Sequence, residues 1–372
     1  MKKIDNDVEE QKIEIIFDKL IMLLDYLREK DIFERSYQRQ LAQRLLSNKP
    51  ILDNMEKNMI LRLKTKCSSQ FTNQLKGMLE DIFVSNAKMN EFRHYVDQQS
   101  LNMHRIDLSV LVLKTGFWPF QSTNYQYNLP QMVYEVYQYF QIFYLNMHSG
   151  RRLILQPSLG TADLTAVFYD QPKNDDFDQG KSQPTIIKMI KKREHTLQVS
   201  TYQMIILMLF NTKESWSFEE IHQETNISEK SLERSLLPLI KGNITQQILF
   251  NESNNNNIQS SDRFYVNDSF TSKLHRIKIK SITTGSENDF EQRETRKQVQ
   301  RGRRHEIDAA IVRIMKTHKT MGHSELITEV INQLKTRFQV DPHLIKQCIE
   351  RLIESDYLLR SKDDAKIYNY VA

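Results

Sequence analysis

The chain has 372 residues, 39% hydrophobic and 27% charged, with 52 Lys and Arg against 47 Asp and Glu and a formal net charge of +5. That is too long for one ordinary domain of about 100–200 residues, and the composition supports several packed modules with wet surfaces rather than wholesale disorder. With nine glycines and neither a GxGxxG nor a GxxxxGKS/T stretch, a nucleotide-binding loop is unsupported, and the longest apolar run, Met204 to Phe210, falls well short of the roughly 20 residues that span a bilayer.

From Glu9 to about Tyr95 the pattern is helical throughout. Phe33, Tyr37, Leu41 and Leu45 recur every four residues on one face, and the shortage of glycine and proline predicts a helical bundle over residues 1–104. Cys67 and Cys348 form no CxxC pair and sit in helical patterns, so both are expected to be buried free thiols. The period then changes to two: Ile106, Leu108, Val110 and Val112 alternate before the punctuating Gly116 and Pro119, which predicts a strand. A helix ending near Gly150 follows, then RRLILQ and LTAVFYD flanking QPSLGTAD, read as a hairpin. The alternating Lys273–Ile282 is expected to join the same sheet, giving an α/β domain over 105–195 completed by a strand at 271–283.

Between those strands lies a helical insert, 196–270, containing Phe218–Gly242: two short helices joined by a turn, then a strand and the Asn-rich loop 251–261. Ser324–Leu359 repeats the plan and closes on KIYNYVA, within a module spanning 305–372. Helix, turn, second helix starting at an N-cap such as Ser228 or Asp341, then a hairpin, is the winged-helix pattern. The polar stretch NDDFDQGKSQP reads as an insertion. The basic connector 284–304, read as a linker or helix with few large apolar residues, is expected to act as a hinge before the last module. The fold class predicted is mainly α with an α/β domain: a bundle, a small mixed sheet and two winged helices.

One helix, HEIDAAIVRIMKTHK, combines a core stripe with a basic outer face. At about 100° per residue, Ile307, Ile311, Ile314, Met315 and His318 gather in one arc, while Lys316 lies about 140° and Arg313 about 200° from Ile311. Three classes of function are open. A winged-helix nucleic-acid reader needs a one-sided positive recognition helix, whereas DPHLIKQCIERLIES and SEKSLERSLLPLIKG carry mixed charge. An enzyme needs a nucleophile and a base, yet no Ser/His/Asp or Cys/His spacing is present, and His318 with His323 is a weak metal pair without a third ligand. A scaffold for other proteins is the third.

The residues favour the scaffold. HSGRRLILQPSLGTADLTAVFYD, STYQMIILMLFN, SFEEIHQET, FTSKLHRIKIK and above all EIDAAIVRIMK with a terminal YNYVA resemble the C-terminal half of a cullin, in wording most similar to the cullin three subtype. The resemblance implies a non-catalytic scaffold subunit of a ubiquitin ligase. It would bind a RING-box protein by β-augmentation and position a ubiquitin-charged E2 conjugating enzyme. It would be activated by neddylation, the attachment of a Nedd8-type ubiquitin-like modifier by its own E2 and co-ligase. On the IVRIMK motif the acceptor would be Lys316, with Arg313 and Lys319 as the patch facing the modifying enzymes. The RING-box strand would join a sheet including Ile106, Leu108, Val110, Leu164, Ile277 and Ile279. No cofactor is implied, zinc being expected only in the RING partner, and neither a membrane nor a nucleic acid is an expected partner. BTB-domain substrate receptors would bind through an N-terminal half outside this chain, which would then be a fragment or a truncated form, working in cytoplasm and nucleus.

Overall fold

The computed structural model describes residues 2–47, 53–120, 127–169, 192–243, 245–252, 258–279, 285–362 and 364–371. Four helices open the chain: α1 (Lys2–Asp25), α2 (Lys30–Leu46), α3 (Asp53–Leu63) and α4 (Ser69–Gln99). Leu41, Ala42 and Leu45 of α2 are buried with Ile60, Leu63, Leu75 and Met78, and Phe33 and Tyr37 are half-buried against the same cluster, as their four-residue spacing predicts. Next come α5 (Gln131–Met147), β1 (Thr161–Tyr169), β2 (Lys192–Ser200), α6 (Thr201–Leu209), β3 (Ser215–Ser217), α7 (Phe218–Thr225), α8 (Glu229–Ile240), β4 (Leu249–Asn251), β5 (Arg263–Val266) and β6 (Arg276–Lys278). The chain closes with α9 (Gly285–His318), β7 (Thr320–Gly322), α10 (His323–Leu334), α11 (Pro342–Glu354), β8 (Leu358–Arg360) and β9 (Ile367–Tyr370).

Two units emerge. The first comprises Met1–Ala87, Leu111–Phe120 and Gly285–Ala372 and therefore joins the helical bundle to the final winged helix. In that winged helix β9 is the central strand, paired antiparallel with β7 and β8. Its core holds Ile307, Ile311, Ile314 and Met315 of α9, Leu326 and Val330 of α10, and Ile345, Ile349 and Leu352 of α11. Asp341 caps α11 by accepting from the His343 N–H at 2.9 Å, with Pro342 at the first helical position, where its missing N–H costs nothing.

The second unit comprises Lys88–Val110 and Gln121–Thr284. Its mixed sheet has the order β1-β2-β6, with β1 antiparallel and β6 parallel to β2. The predicted joining of the Lys273–Ile282 segment to this sheet holds over Arg276–Lys278, and Ile279 N–H extends the pairing to Gln198 O at 2.9 Å; residues 280–283 lie outside the described residues. The first winged helix follows, with sheet order β3-β5-β4. Its α6 and α7 both begin with reciprocal capping boxes, Ser200 with Gln203 and Ser217 with Glu220. Asn226, at φ 54°, ends α7 in the left-handed conformation that asparagine tolerates. Ser228 does occupy the N-cap position of α8, but its hydroxyl meets Ser231 Oγ at 2.9 Å instead of a backbone N–H.

Three sequence expectations are corrected. RRLILQ is not half of a hairpin: the partner of β1 is β2, in a register from Thr161↔Ser200 to Tyr169↔Lys192. Of the two readings of the connector, linker or helix, the helix holds from Gly285 onward, and it is the expected hinge that is corrected, because those residues form one continuous helix with the final module's first helix. Its arginines and lysines are good helix formers, and nothing between Gly285 and His318 breaks the hydrogen-bond ladder except a single tolerated Gly302. Third, Ile106–Val112 is extended but belongs to no strand. Val112 N–H donates to Ser85 Oγ at 2.8 Å and Lys114 N–H to Asp81 Oδ2 at 2.8 Å. Within the second unit Val110 N–H likewise meets Met89 Sδ at 3.3 Å. Two extended residues advance about 6.6–6.8 Å and four helical residues about 6 Å, so a period-two chain can be served by side chains spaced four apart on α4. The expected alternation survives, with Ile106, Leu108 and Val110 half-buried and Asp107 and Ser109 exposed.

The Asn-rich loop is described only in part, and NDDFDQGKSQP lies outside the described residues. No helix among the described residues is long and apolar enough to cross a membrane. Both cysteines are free: Cys348 is buried as expected, while Cys67 is half-buried. Burial first, then Asp308, pushes the Cys348 thiol up to about 12, and burial with Glu34 pushes Cys67 up to about 11, so neither is poised as a nucleophile.

Glu220 supplies a pH test of the first winged helix. It pairs with Lys213 at 2.6 Å and accepts from Ser217 N–H at 2.8 Å, and these two contacts, Lys213 the larger, hold its carboxyl down to about 2. A lowered folded-state value stabilises above the ordinary carboxylate value of about 4.3 and is lost as pH falls toward the folded one. The melting-temperature difference between wild type and Glu220→Gln is therefore expected to be present at pH 7 and to vanish between pH about 4.5 and about 2. A difference independent of pH would assign the effect to the neutral hydrogen bond alone.

Candidate modification site and partner-binding sheet

The last turns of α9 place buried and exposed residues as the helical arc predicts. Ile307, Ala310, Ile311, Ile314 and Met315 are buried, and Arg313 and Lys316 are exposed. His318 departs from its predicted arc and is exposed, at the last residue of the helix. Lys316 and His318 both stand in that final turn, where cations complement the negative end of the helix dipole. Lys319, at φ 65°, reverses the chain in the left-handed conformation: its N–H donates to Met315 O at 2.8 Å, and its carbonyl accepts from Tyr370 N–H at 2.8 Å. Its ammonium lies 5.1 Å from the Tyr370 ring centroid. Arg313 reaches Gln333 Oε1 at 3.5 Å. Arg313, Lys316 and Lys319 are thus brought together around an exposed amine on a rigid mount, although Lys319 sits on the reversal rather than one helical turn on.

His323 is structural. Its Nδ1 lies 2.9 Å from the hydroxyl of the buried Tyr368, and burial first, then Lys346 and Arg360, holds its imidazole below the usual range. Among the described residues no cluster of three His, Cys, Asp or Glu side chains could hold a metal ion. On α11, Arg351 is engaged with Asp308, and Glu350 with Arg360, leaving no one-sided positive face.

The upstream part of α9 is anchored to α2, within the same unit. Arg303 meets Asp31 at 2.5 Å and 2.9 Å and Glu29 at 3.2 Å, and its guanidinium stacks 4.9 Å from the Phe338 ring. Arg35 donates to Gln298 Oε1 at 2.7 Å and 3.1 Å, and Arg337 bridges Glu306 at 2.7 Å and Glu34 at 3.7 Å. These contacts replace the expected hinge with a clamp. Sequence reasoning missed them; the acidic cluster Glu29, Asp31 and Glu34 at the start of α2, against an arginine-rich α9, was the available signal.

The candidate binding sheet is only partly as expected. Leu164 lies in β1 and Ile277 in β6, with Ile279 one residue beyond, and all three pack half-buried on the core formed by Phe168, Leu197 and Val199. Ile106, Leu108 and Val110 are not part of it. Since β1 and β6 are the outer strands, their outward backbone edges carry no strand partner among the described residues.

Three family models match the chain: the cullin alpha solenoid domain over residues 1–89, the cullin alpha+beta domain over 112–270 and the cullin protein neddylation domain over 302–364. The chain belongs to the cullin family. It is 41% identical to Cullin-3B of Arabidopsis thaliana over 367 residues, which cover 98% of this chain and 46% of that protein. Identity to Cullin-3 of Dictyostelium discoideum is 39% over 404 residues, covering 100% and 49%, and to Cullin-3 of Caenorhabditis elegans 40% over 361 residues, covering 95% and 46%. The chain thus spans about half the length of the relatives it matches, and it is a cullin-3-like C-terminal half. Lys316 falls within the stretch matched by the cullin neddylation domain, as do the buried stripe that mounts it and the Arg303 clamp.

Proposed function

We propose that this chain is the partner-binding end of a cullin–RING ubiquitin ligase scaffold, non-catalytic itself, which holds a RING-box protein and through it a ubiquitin-charged E2. The observation that carries this reading is the presentation of Lys316: an exposed amine flanked by Arg313 and Lys319, on a helix whose opposite face is fully buried, inside a cullin neddylation domain. Lys316 would accept the Nedd8-type modifier, and the flanking cations would face acidic surfaces of the modifier's E2 and co-ligase. Rate enhancement would come from proximity, since holding a thioester and a target lysine on one frame replaces encounter in solution by a high effective concentration. Zinc would enter only with the RING partner, and BTB-domain receptors would be engaged by the part of the longer relatives that this chain does not cover. Cytoplasm and nucleus are the proposed compartments.

The RING-box protein would add a strand to the outer edge of β1, nine residues long and the better template of the two free edges. Co-expression is expected to yield a one-to-one complex. A proline scan across Thr161–Tyr169 should abolish that complex at alternate positions, where the N–H points away from β2, without lowering the melting temperature. A complex surviving every proline would rule out β1 as the acceptor, and no complex at all would overturn the scaffold reading.

A further inference from the structure

Two exposed lysines, Lys316 and Lys319, stand close together at the end of α9, and the structure treats them differently. Lys316 rises from the last helical turn and is engaged by no carboxylate or ring among the described residues. The Lys319 ammonium lies 5.1 Å from the Tyr370 ring centroid, a distance at which an aromatic face attracts a cation. Both ends of that pair are fixed. Lys319 is held in the reversal at φ 65°, and Tyr370 stands on β9, the central strand of its sheet, donating its N–H to Lys319 O at 2.8 Å. In the adjacent cross-strand pair Thr320 Oγ1 donates to Asn369 Oδ1 at 2.9 Å, and Tyr370 itself packs half-buried on the core of the module. The ring is therefore a fixed platform beside the reversal.

We propose that Tyr370 is a specificity-determining residue: by holding the Lys319 ammonium against its ring it withholds the neighbouring amine and leaves Lys316 as the acceptor. This role rests on the assignment of Lys316 as the acceptor above. In the transfer a lysine amine attacks the carbonyl of the modifier's thioester. A C–N bond replaces the C–S bond, the conjugating enzyme's thiolate leaves, and the surplus amine proton passes to solvent. An amine lying on the ring cannot make that approach until it leaves. For an exposed pair the stacked state is favoured by about two- to fivefold, and Tyr370 lowers the reactive population of Lys319 by that factor. The charge of Lys319 stays in the patch, while its amine is kept from the thioester. A purely structural tyrosine would behave otherwise: an apolar residue in its place would keep the packing of β9 and leave the choice of acceptor unchanged.

Trace acetylation of the whole chain with N-hydroxysuccinimidyl acetate, read by mass spectrometry as the ratio of Lys319 to Lys316 labelling, measures the withheld amine without any conjugating enzyme. Tyr370→Leu keeps an apolar side chain but no ring and is expected to raise that ratio about two- to fivefold, whereas Tyr370→Phe keeps the ring face and should hold the wild-type ratio. If the leucine variant melts well below wild type, Tyr370→Met, a flexible apolar chain that fills irregular gaps, takes its place. An unchanged ratio in the variants without a ring overturns the proposal. In reconstituted conjugation on a Lys316→Arg background, Tyr370→Leu should raise the residual Lys319 conjugate by the same factor, and Tyr370→Phe should not. Faster acetylation with no gain in Lys319 conjugate would also overturn Tyr370 as a selector. A wild-type chain never modified on Lys316 would instead overturn the acceptor assignment, and any selecting role with it, while the acetylation ratio still reported whether the ring withholds Lys319.

Discussion

In a reconstituted conjugation reaction, Lys316→Arg is expected to eliminate the singly modified species, a loss of at least about a hundredfold in rate, while melting temperature and RING-box binding stay unchanged. The charge is kept, and with it the interaction with the helix dipole; only the nucleophilic amine is removed. The side chain is exposed and packs in no core, so no cavity results. Lys319, three residues on, is the natural competitor, but its backbone is locked in the reversal at φ 65° and its ammonium lies over the Tyr370 ring. Mass spectrometry of the conjugate decides. An isopeptide remnant on Lys319, with Lys316→Arg still fully modified, would show that exposure on the helix does not select the acceptor.

The largest loss of stability is expected from Asp81→Ala. Asp81 is 2% exposed, and its Oδ2 accepts from the Trp118 indole N–H at 2.9 Å and from the Lys114 backbone N–H at 2.8 Å. Truncation leaves the buried indole N–H and the part-buried Lys114 N–H without their acceptor, at about 1–3 kcal/mol each. For a unit of this size that is a fall of roughly 5–15 °C in melting temperature. Asp81→Asn retains one acceptor oxygen and should recover a large part of the loss. If Asp81→Ala melted within a degree or two of wild type, water would have to reach both donors, and the extended segment would not depend on α4 for its backbone pairing.

That segment also marks where the sequence stops being legible. Helices were readable because burial follows the 3.6-residue period wherever a face is covered by apolar neighbours, as at Leu41 and Leu45 or at Ile307, Ile311 and Ile314. The repeated winged-helix plan was readable from turns and from the spacing of the apolar residues, and the exposed position of Lys316 from the helical arc. Period two in Ile106–Val112, by contrast, reports only that the chain is extended with one side covered; it is silent on whether the partner is a strand or a row of helix side chains. For RRLILQ the error was one of distance along the chain, since the strand that pairs with β1 lies beyond residues 170–191, past a polar stretch that hid the connection. The continuity of α9 was missed because high charge and few apolar residues describe a solvated linker and a solvated helix face equally well. Arg303, Asp31 and Gln298 could not be paired by inspection, since their closeness depends on how α2 and α9 pack.

Because α9 runs unbroken from the Arg303 clamp to Lys316, the two are phase-locked. Thirteen residues separate them, so each residue inserted or deleted between them turns the acceptor by about 100° relative to α2 and shifts it by about 1.5 Å. One added residue would rotate the amine toward the buried arc of its own module or tear the clamp. Seven added residues make nearly two full turns and would restore its bearing about 10 Å further out. The interval between clamp and Lys316 thus behaves as a ruler as well as a support: its length sets the bearing of the amine.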